Sequence, residues 1–535
     1  MLPKAILMTA PNDNTAIFRL AAWLAILLSG CVHDKSDSEK TQLPATNNVR
    51  SLQVAQDINP APHIVEINLE ATMSTIEIAQ GVFSQVYTYN GMVPGPVIKT
   101  NVGDTLIVNF TNNLPEPTTI HWHGVRVPAD MDGSTLSQHP VQPNQSFRYQ
   151  FTVNDPSLFW YHPHVRTDVQ VEMGLAGALL VSDEISDTHQ SHLKPLREIK
   201  QDILILDDIH IETSGEISLE NNGRLLWLVN GRELPEMEVV SDEPLRWRLV
   251  NIANERYMRI EVPGHKLIRV GGDGGLLEKA MIDLDDVTLV PGERADIVLT
   301  PTGDPGSELT VYRKKIGTNN ARTPLMNLVF IEGDSSEKPT DTLTLPETLR
   351  ISEAINITGA SEQTFVFSHG PPDAEGNVSF LINDKTFAEL TTQDTPDAVV
   401  GETQIWNLVN ATAIDHPFHL HGFFFQVLET LTRDTEGRVI SITPISYLEN
   451  KDTVDLPRRP GMNGTSTTVR IAIRFDASSG RSVSETVAYG GLNAIVSADL
   501  GNGLRGHSGG WLFHCHILPH ARRGMMSYIE VGRGQ

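Results

Sequence analysis

TQIWNLVN, residues 403 to 410, mixes apolar and polar side chains at the two-residue period of a β-strand. TLIVNF (Thr105 to Phe110) and LRWRLVN (Leu245 to Asn251) read the same way. All three lie between turns rich in Gly, Pro, Asn and Asp, which stop a strand and reverse the chain. The expectation is an all-β chain of antiparallel sandwiches or barrels with little helix.

Working outward from these strands exposes a weak internal repeat. An Asn at a Gly or acidic turn is followed by a strand ending in Asn: Asn90-Gly91 to Asn109, Asn230-Gly231 to Asn251, and Asn383-Asp384 to Asn410. The period of roughly 140 to 150 residues is too long for a solenoid and suits a whole small β-domain. A chain of 535 residues with 40% apolar content can bury about three such cores. The expected domains are 52–190, 191–342 and 343–535.

Upstream of them, Lys4 and Arg19 precede the apolar run Leu20 to Gly30, which is short for a membrane span and suits the apolar region of an export signal. The run closes on Leu28-Ser29-Gly30-Cys31, which resembles the lipobox of bacterial lipoproteins, where the cysteine becomes the lipidated first residue. A plain cleaved signal with an incidental cysteine is the alternative. Met8 is a second possible start. Residues 1–31 therefore read as a signal, and the polar stretch 32–51 as a flexible tether to a membrane. The protein is expected in the bacterial periplasm or cell envelope. A formal net charge of -25 argues against nucleic-acid partners.

The chain has only two cysteines, Cys31 and Cys515. With Cys31 lipidated, Cys515 has no disulfide partner, and metal binding or catalysis remains as the reason for an exported thiol.

Histidine placement points to the metal. Ten of the 19 histidines fall in four short clusters: HWHG (His121, His123), WYHPH (His162, His164), HPFHLHG (His416, His419, His421) and HCHILPH (His514, His516, His520). Residues i and i+2 of a strand share a face, so each H-x-H pair presents two imidazoles together, and four pairs supply eight nitrogen ligands. In His514-Cys515-His516 the thiol faces opposite to the histidines, so one tripeptide can serve metals on two sides. On the thiol side, His416, His520 and the thioether of Met525 would complete two nitrogens, one thiolate and a weak axial ligand, the donor set of a blue-copper electron-transfer site.

The four clusters, in this order, resemble the copper-binding signatures of the multicopper oxidases, the family of laccases, bilirubin oxidases and bacterial cuprous oxidases. The resemblance covers the chain beyond the tether. It implies three cupredoxin-like Greek-key domains, with copper ligands in the first and third and none at the matching Asn254 to His265 of the second. It implies four copper ions: type 1 on His416, Cys515, His520 and Met525; type 2 on His121 and His419; and a type 3 pair on His123, His162, His516 and on His164, His421, His514. The implied reaction takes four single electrons from a reducing substrate at type 1, passes them through Cys515 to His514 and His516, and reduces O2 to two waters at the interface of the first and third domains.

Proton supply departs from the family pattern. Asp132, in VPADMDG, matches a family acid near the three-copper cluster, with a turn before Gly133 as its alternative reason. Relatives often carry an acid directly after the second type 1 histidine, where this chain has Ala521 followed by Arg522 and Arg523. Asp168 and Glu172 are candidate substitutes.

For substrate, only Met462 lies between HPFHLHG and HCH, so the methionine-rich insertion common in cuprous oxidases is not seen, and scattered methionines read as core filler. The expectation is a laccase-like oxidase of phenols or other small aromatic reductants, with a cuprous or other metal-ion oxidase as the alternative. A non-enzymatic scaffold fits the complete ligand set poorly, and a two-domain nitrite reductase lacks the HCH arrangement and fits the repeat count poorly; copper storage, a less favoured alternative, needs the same histidines and differs in not consuming O2 repeatedly. The Gly- and Ser-rich stretch Ala477 to Gly510 is expected to shape an opening near the copper sites, or to be a solvated ornament.

Overall fold

The computed structural model describes residues 48–182, 193–220, 222–316, 321–333, 343–391, 393–461, 464–476 and 510–532. The expected signal with Cys31, the tether up to residue 47, Met462, and the 477–510 loop except Gly510 lie outside the described residues.

Six sheets fall into three consecutive pairs, giving the expected all-β architecture. In the first pair, Val82–Tyr89, Ile64–Ala79, Thr105–Asn112 and Gln145–Thr152 lie side by side in that order. They face a sheet of Ile98–Asn101, Gly177–Ser182, Ser157–His162 and His121–His123. The second pair has seven and five strands between Lys200 and Ile331, and the third has six and five between Ser361 and Gly532. Each pair closes on its own apolar core, with Trp122, Trp247 and Trp406 at most 1% exposed in the first, second and third. Helix is confined to short pieces such as Thr167–Glu172 and Leu518–Arg522.

The repeat is physical, with one correction. Asn90, Asn230 and Asn383 all adopt positive φ, where Asn is tolerated because its short side chain bonds the backbone locally. Their Oδ1 atoms accept from the backbone N–H of Glu70, Ile205 and Val366 respectively. At the strand ends, Asn251 and Asn410 accept from the N–H two residues on and donate Nδ2 to two carbonyls. In the first domain Asn112 makes this pattern. The expected Asn109 instead donates to Glu66 and Asn68 on the neighbouring strand. The Thr105 strand runs two residues beyond the quoted TLIVNF, which displaced the match by three positions.

The tether is also shorter than expected. Asn48 forms a parallel bridge with Glu236, the Val49 N–H donates to the Glu236 carbonyl at 2.6 Å, and Arg50 Nη1 donates to the Val93 carbonyl. Residues 48–51 are therefore joined to the first and second domains.

Candidate metal centre

Strand pairing carries the four clusters together. His121–His123 pairs antiparallel with Ser157–His162, placing His121 opposite His162. His416–Leu420 pairs with Gly510–Cys515, placing His419 opposite His514. Of the four H-x-H pairs, only His121 and His123 both lie within one strand. His164, His421 and His516 each follow the end of a strand, where the backbone turns, yet their rings still reach the shared cavity. The first and third domains meet here: His121 stacks on His421 and His123 on His419, both with ring centroids 3.7 Å apart.

Six of the eight cavity rings are held from outside by a hydrogen bond that leaves the other nitrogen facing inward. His121 Nδ1 donates to the Asp132 carbonyl, His162 Nδ1 to Pro163, His419 Nδ1 to Asp452 and His514 Nδ1 to Cys515, each at 2.9 Å. His421 Nδ1 donates to Asp132 Oδ2 at 2.8 Å, and His123 Nε2 to Asp452 Oδ1 at 3.1 Å. Hydrogen bonds of this kind fix the tautomer and ring plane of a metal ligand.

The inward nitrogens converge. His121 Nε2 lies 3.4 Å from His419 Nε2, and His421 Nε2 lies 3.2 Å from His514 Nε2. His164, His421 and His514 can share one ion, as can His121, His419 and His421. His123 Nδ1, His162 Nε2 and both ring nitrogens of His516 are buried without any hydrogen-bond partner. Buried polar atoms are rarely left unpaired, and three imidazole rings with unpaired nitrogens around one cavity fit a bound cation. Burial and the neighbouring rings hold His123, His162, His164, His421 and His516 well below the usual imidazole range, and burial brings His514 down to about 3. At neutral pH they are uncharged bases, the form that binds metal.

A second centre lies on the other side of Cys515. Its Sγ is 3.4 Å from His416 Nδ1 and 3.5 Å from His520 Nδ1, and the two nitrogens are 3.2 Å apart. Met525 is fully buried in the same apolar core as Cys515 and accepts the Cys515 N–H at its carbonyl. Burial lowers His416 to about 4 and His520 to about 3, while it pushes the Cys515 thiol up. His416 Nε2 donates to Thr412 Oγ1 at 2.8 Å, and Phe380 stacks on His520 at 3.9 Å.

Of the acids singled out from the sequence, Asp132 stands at the cavity, with its carbonyl and carboxylate holding His121 and His421. Asp168 Oδ2 accepts from Arg522 Nη1 at 2.8 Å, and Glu172 Oε2 accepts from Asn254 Nδ2 at 2.7 Å. Among the described residues neither hydrogen-bonds a cluster histidine. Burial, with Asp207 and Asp208 nearby, raises Glu172 well above the ordinary range.

Sequence reading missed Asp452, Thr412 and the second domain's part in the cavity. Burial favours a protonated Asp452, but Arg294 beside it and its hydrogen bonds hold the carboxyl well below its ordinary range. Gly292 has φ +88°, and a Cβ there would come within 2.9 Å of His123 Cε1 and 3.0 Å of His516 Cδ2. Only the pairing of Thr453–Leu456 with His416–Leu420 brings Asp452 to the histidines, and no local motif announces it.

Comparison with known proteins agrees with this geometry. Three family models, each described as multicopper oxidase, match residues 70–186, residues 160–326, and residues 353–480 with 504–535. The chain is 26% identical over 479 residues to a multicopper oxidase of Staphylococcus haemolyticus, covering 86% of this chain and 88% of that one. It is 27% identical over 507 residues to a laccase of Bacillus subtilis, covering 84% and 90%. Among solved structures, a multicopper oxidase of Pseudomonas thermotolerans superposes with a TM-score of 0.66 at 27% identity, covering 88% of this chain and 99% of that one. A Campylobacter jejuni protein described as a metallo-oxidase shares the fold, with a TM-score of 0.71 at 24% identity over 92% and 96% of the chains. The three domains have the cupredoxin-like fold of these proteins, and the chain belongs to the multicopper oxidases, copper-dependent oxidoreductases that use O2 as electron acceptor.

Proposed function

We propose that the protein is a laccase-like oxidase holding four copper ions. It couples four one-electron oxidations of phenolic or other small aromatic reductants to reduction of O2 to water. Type 1 copper falls to His416, Cys515, His520 and Met525, type 2 to His121 and His419, and the type 3 pair to His123, His162, His516 and His164, His421, His514. Bound copper supplies the one-electron chemistry at both centres. The chain supplies the link, since Cys515 is peptide-bonded to both His514 and His516.

Asp132 Oδ1 is buried and makes no hydrogen bond, with His121 Nδ1 3.3 Å away. It is the carboxylate oxygen placed to take or give a proton at the cavity.

The observation that carries the aromatic reading is the surface at His520. This ring is partly exposed, lies face to face with Phe380, and follows Pro519 at the edge of a cleft of about 610 Å³ that Pro371 and Val378 also line. Phe380 is buried behind the ring, and Leu219, Pro371, Val378 and Pro519 form the apolar part of a lining that is otherwise polar, with Arg522 and Arg523 on it; that apolar part, beside an electron-accepting ligand, suits a planar organic reductant. Asp168, Glu220, Glu255 and Asp373 line the same cleft and favour the second reading, oxidation of Cu(I) or another metal ion.

Oxygen uptake by the copper-loaded protein, with a phenol and with Cu(I) compared in one chamber, separates them. Faster turnover with the phenol is expected. A strong preference for Cu(I) would assign the protein to metal oxidation, and no uptake with either would overturn both readings. We further propose export and lipid anchoring through Cys31, on the strength of the Leu20 to Cys31 pattern. The mass of the mature N-terminal peptide tests this, and an unmodified Cys31 would refute it.

A further inference from the structure

The second domain contributes no copper ligand, yet its Arg294 is among the most deeply buried charges in the described residues, at 1% exposure. All five guanidinium donors are directed. Nε donates to the Leu158 carbonyl at 3.2 Å, Nη1 to the Gly292 carbonyl at 2.9 Å, and Nη2 to the Asp273 carbonyl at 3.2 Å. The fork closes on Asp452, with Nη1 donating to Oδ1 at 2.8 Å and Nη2 donating to Oδ2. Leu158 belongs to the first domain and Asp452 to the third, so one side chain ties all three together beside the cavity.

We propose that Arg294 is a positioning residue for the three-copper cluster, acting through Asp452 to hold His123 in the tautomer that presents Nδ1 to metal. An ionised carboxylate only accepts hydrogen bonds, so His123 Nε2, 3.1 Å from Asp452 Oδ1, must carry the proton. Nδ1 then keeps its lone pair, and it is the buried, unpartnered nitrogen of that ring. The same Asp452 accepts His419 Nδ1 at its carbonyl, so one residue sets a ring from the first domain and a ring from the third. The bidentate fork fixes the plane of the carboxylate, which a single ammonium does not do.

The inference rests on the copper assignment proposed above, and the test separates the two. Arg294→Met and Arg294→Lys are compared with the parent in the full copper-loaded chain by dialysis against graded chelator. The blue thiolate-to-copper absorption reads type 1 occupancy, and total metal less that amount reads the cluster. Loss of an outer-shell partner typically weakens metal binding tenfold to a hundredfold. Arg294→Met is therefore expected to hold cluster copper roughly tenfold to a hundredfold less tightly while the blue band persists, with Arg294→Lys intermediate. If Arg294→Met does not fold, Arg294→Lys decides alone, and parental retention in it overturns the proposal. Cluster copper and blue band falling in step would also overturn it, because that is the behaviour of a simple interface staple. A parent with no blue band would refute the copper assignment instead.

Discussion

Asp132 and His421, 289 positions apart in the chain, are joined by a 2.8 Å hydrogen bond from imidazole Nδ1 to carboxylate Oδ2. The bond turns His421 Nε2 toward His514, and Oδ1 of the same carboxylate remains unbonded at the cavity. Asp132→Asn retains an acceptor for the ring but removes the charge and the proton-accepting oxygen. Reoxidation of the fully reduced protein by O2 is expected to slow by about a hundredfold, with the blue band unchanged. Stopped-flow measurement at the parental rate would remove Asp132 from the proton pathway.

Gly292→Ala tests how tightly the second domain walls the cavity. The new methyl group would crowd His123 and His516 in a backbone conformation that costs a non-glycine residue about 1 kcal/mol or more. Cluster copper should fall while the blue band survives, as read by metal analysis beside the absorption spectrum. Full metal content would show that the wall yields.

Copper loading of the thiol centre should release one proton from Cys515 and none from its histidines at pH 7. Burial raises the thiol above its usual range, so it is protonated before metal arrives, whereas His416 and His520, at about 4 and 3, are already neutral. The sign follows directly. Because the folded-state histidine values lie below the usual 6.5, protons begin to compete for these ligands only as pH falls toward 4. A pH-stat reads the release, and Cys515→Ser should abolish the blue band, the activity and this proton together while leaving the fold intact.

Thr412→Val removes the acceptor for His416 Nε2 with little change of shape. The buried N–H left behind costs roughly 1–3 kcal/mol, and a less basic imidazole stabilises the reduced ion. A redox titration of the blue band should give a higher midpoint potential than the parent. An equal or lower midpoint would rule out this tuning.

How far the molecule was legible depended on sequence distance. The H-x-H clusters were readable because the ligands sit two residues apart, a spacing that survives even where His164, His421 and His516 lie beyond their strands. The three-domain architecture was readable from its strand-end asparagines, although the first was placed at Asn109 in place of Asn112. Asp452, Thr412 and Arg294 were not readable. Their roles come from the register of Thr453–Leu456 on His416–Leu420, from a buried turn, and from the meeting of three domains. None of these leaves a local pattern.

The cavity draws two of its four histidine pairs from residues 121–164 and the others from 419–421 and 514–516, with His514 and Cys515 on a strand that begins at Gly510 and His516 directly after it. During synthesis, the earlier pairs therefore wait for partners that emerge hundreds of residues later. A chain interrupted before Gly510 lacks His514, Cys515, His516 and His520, so it can complete neither the thiol cluster nor the eight-histidine cavity.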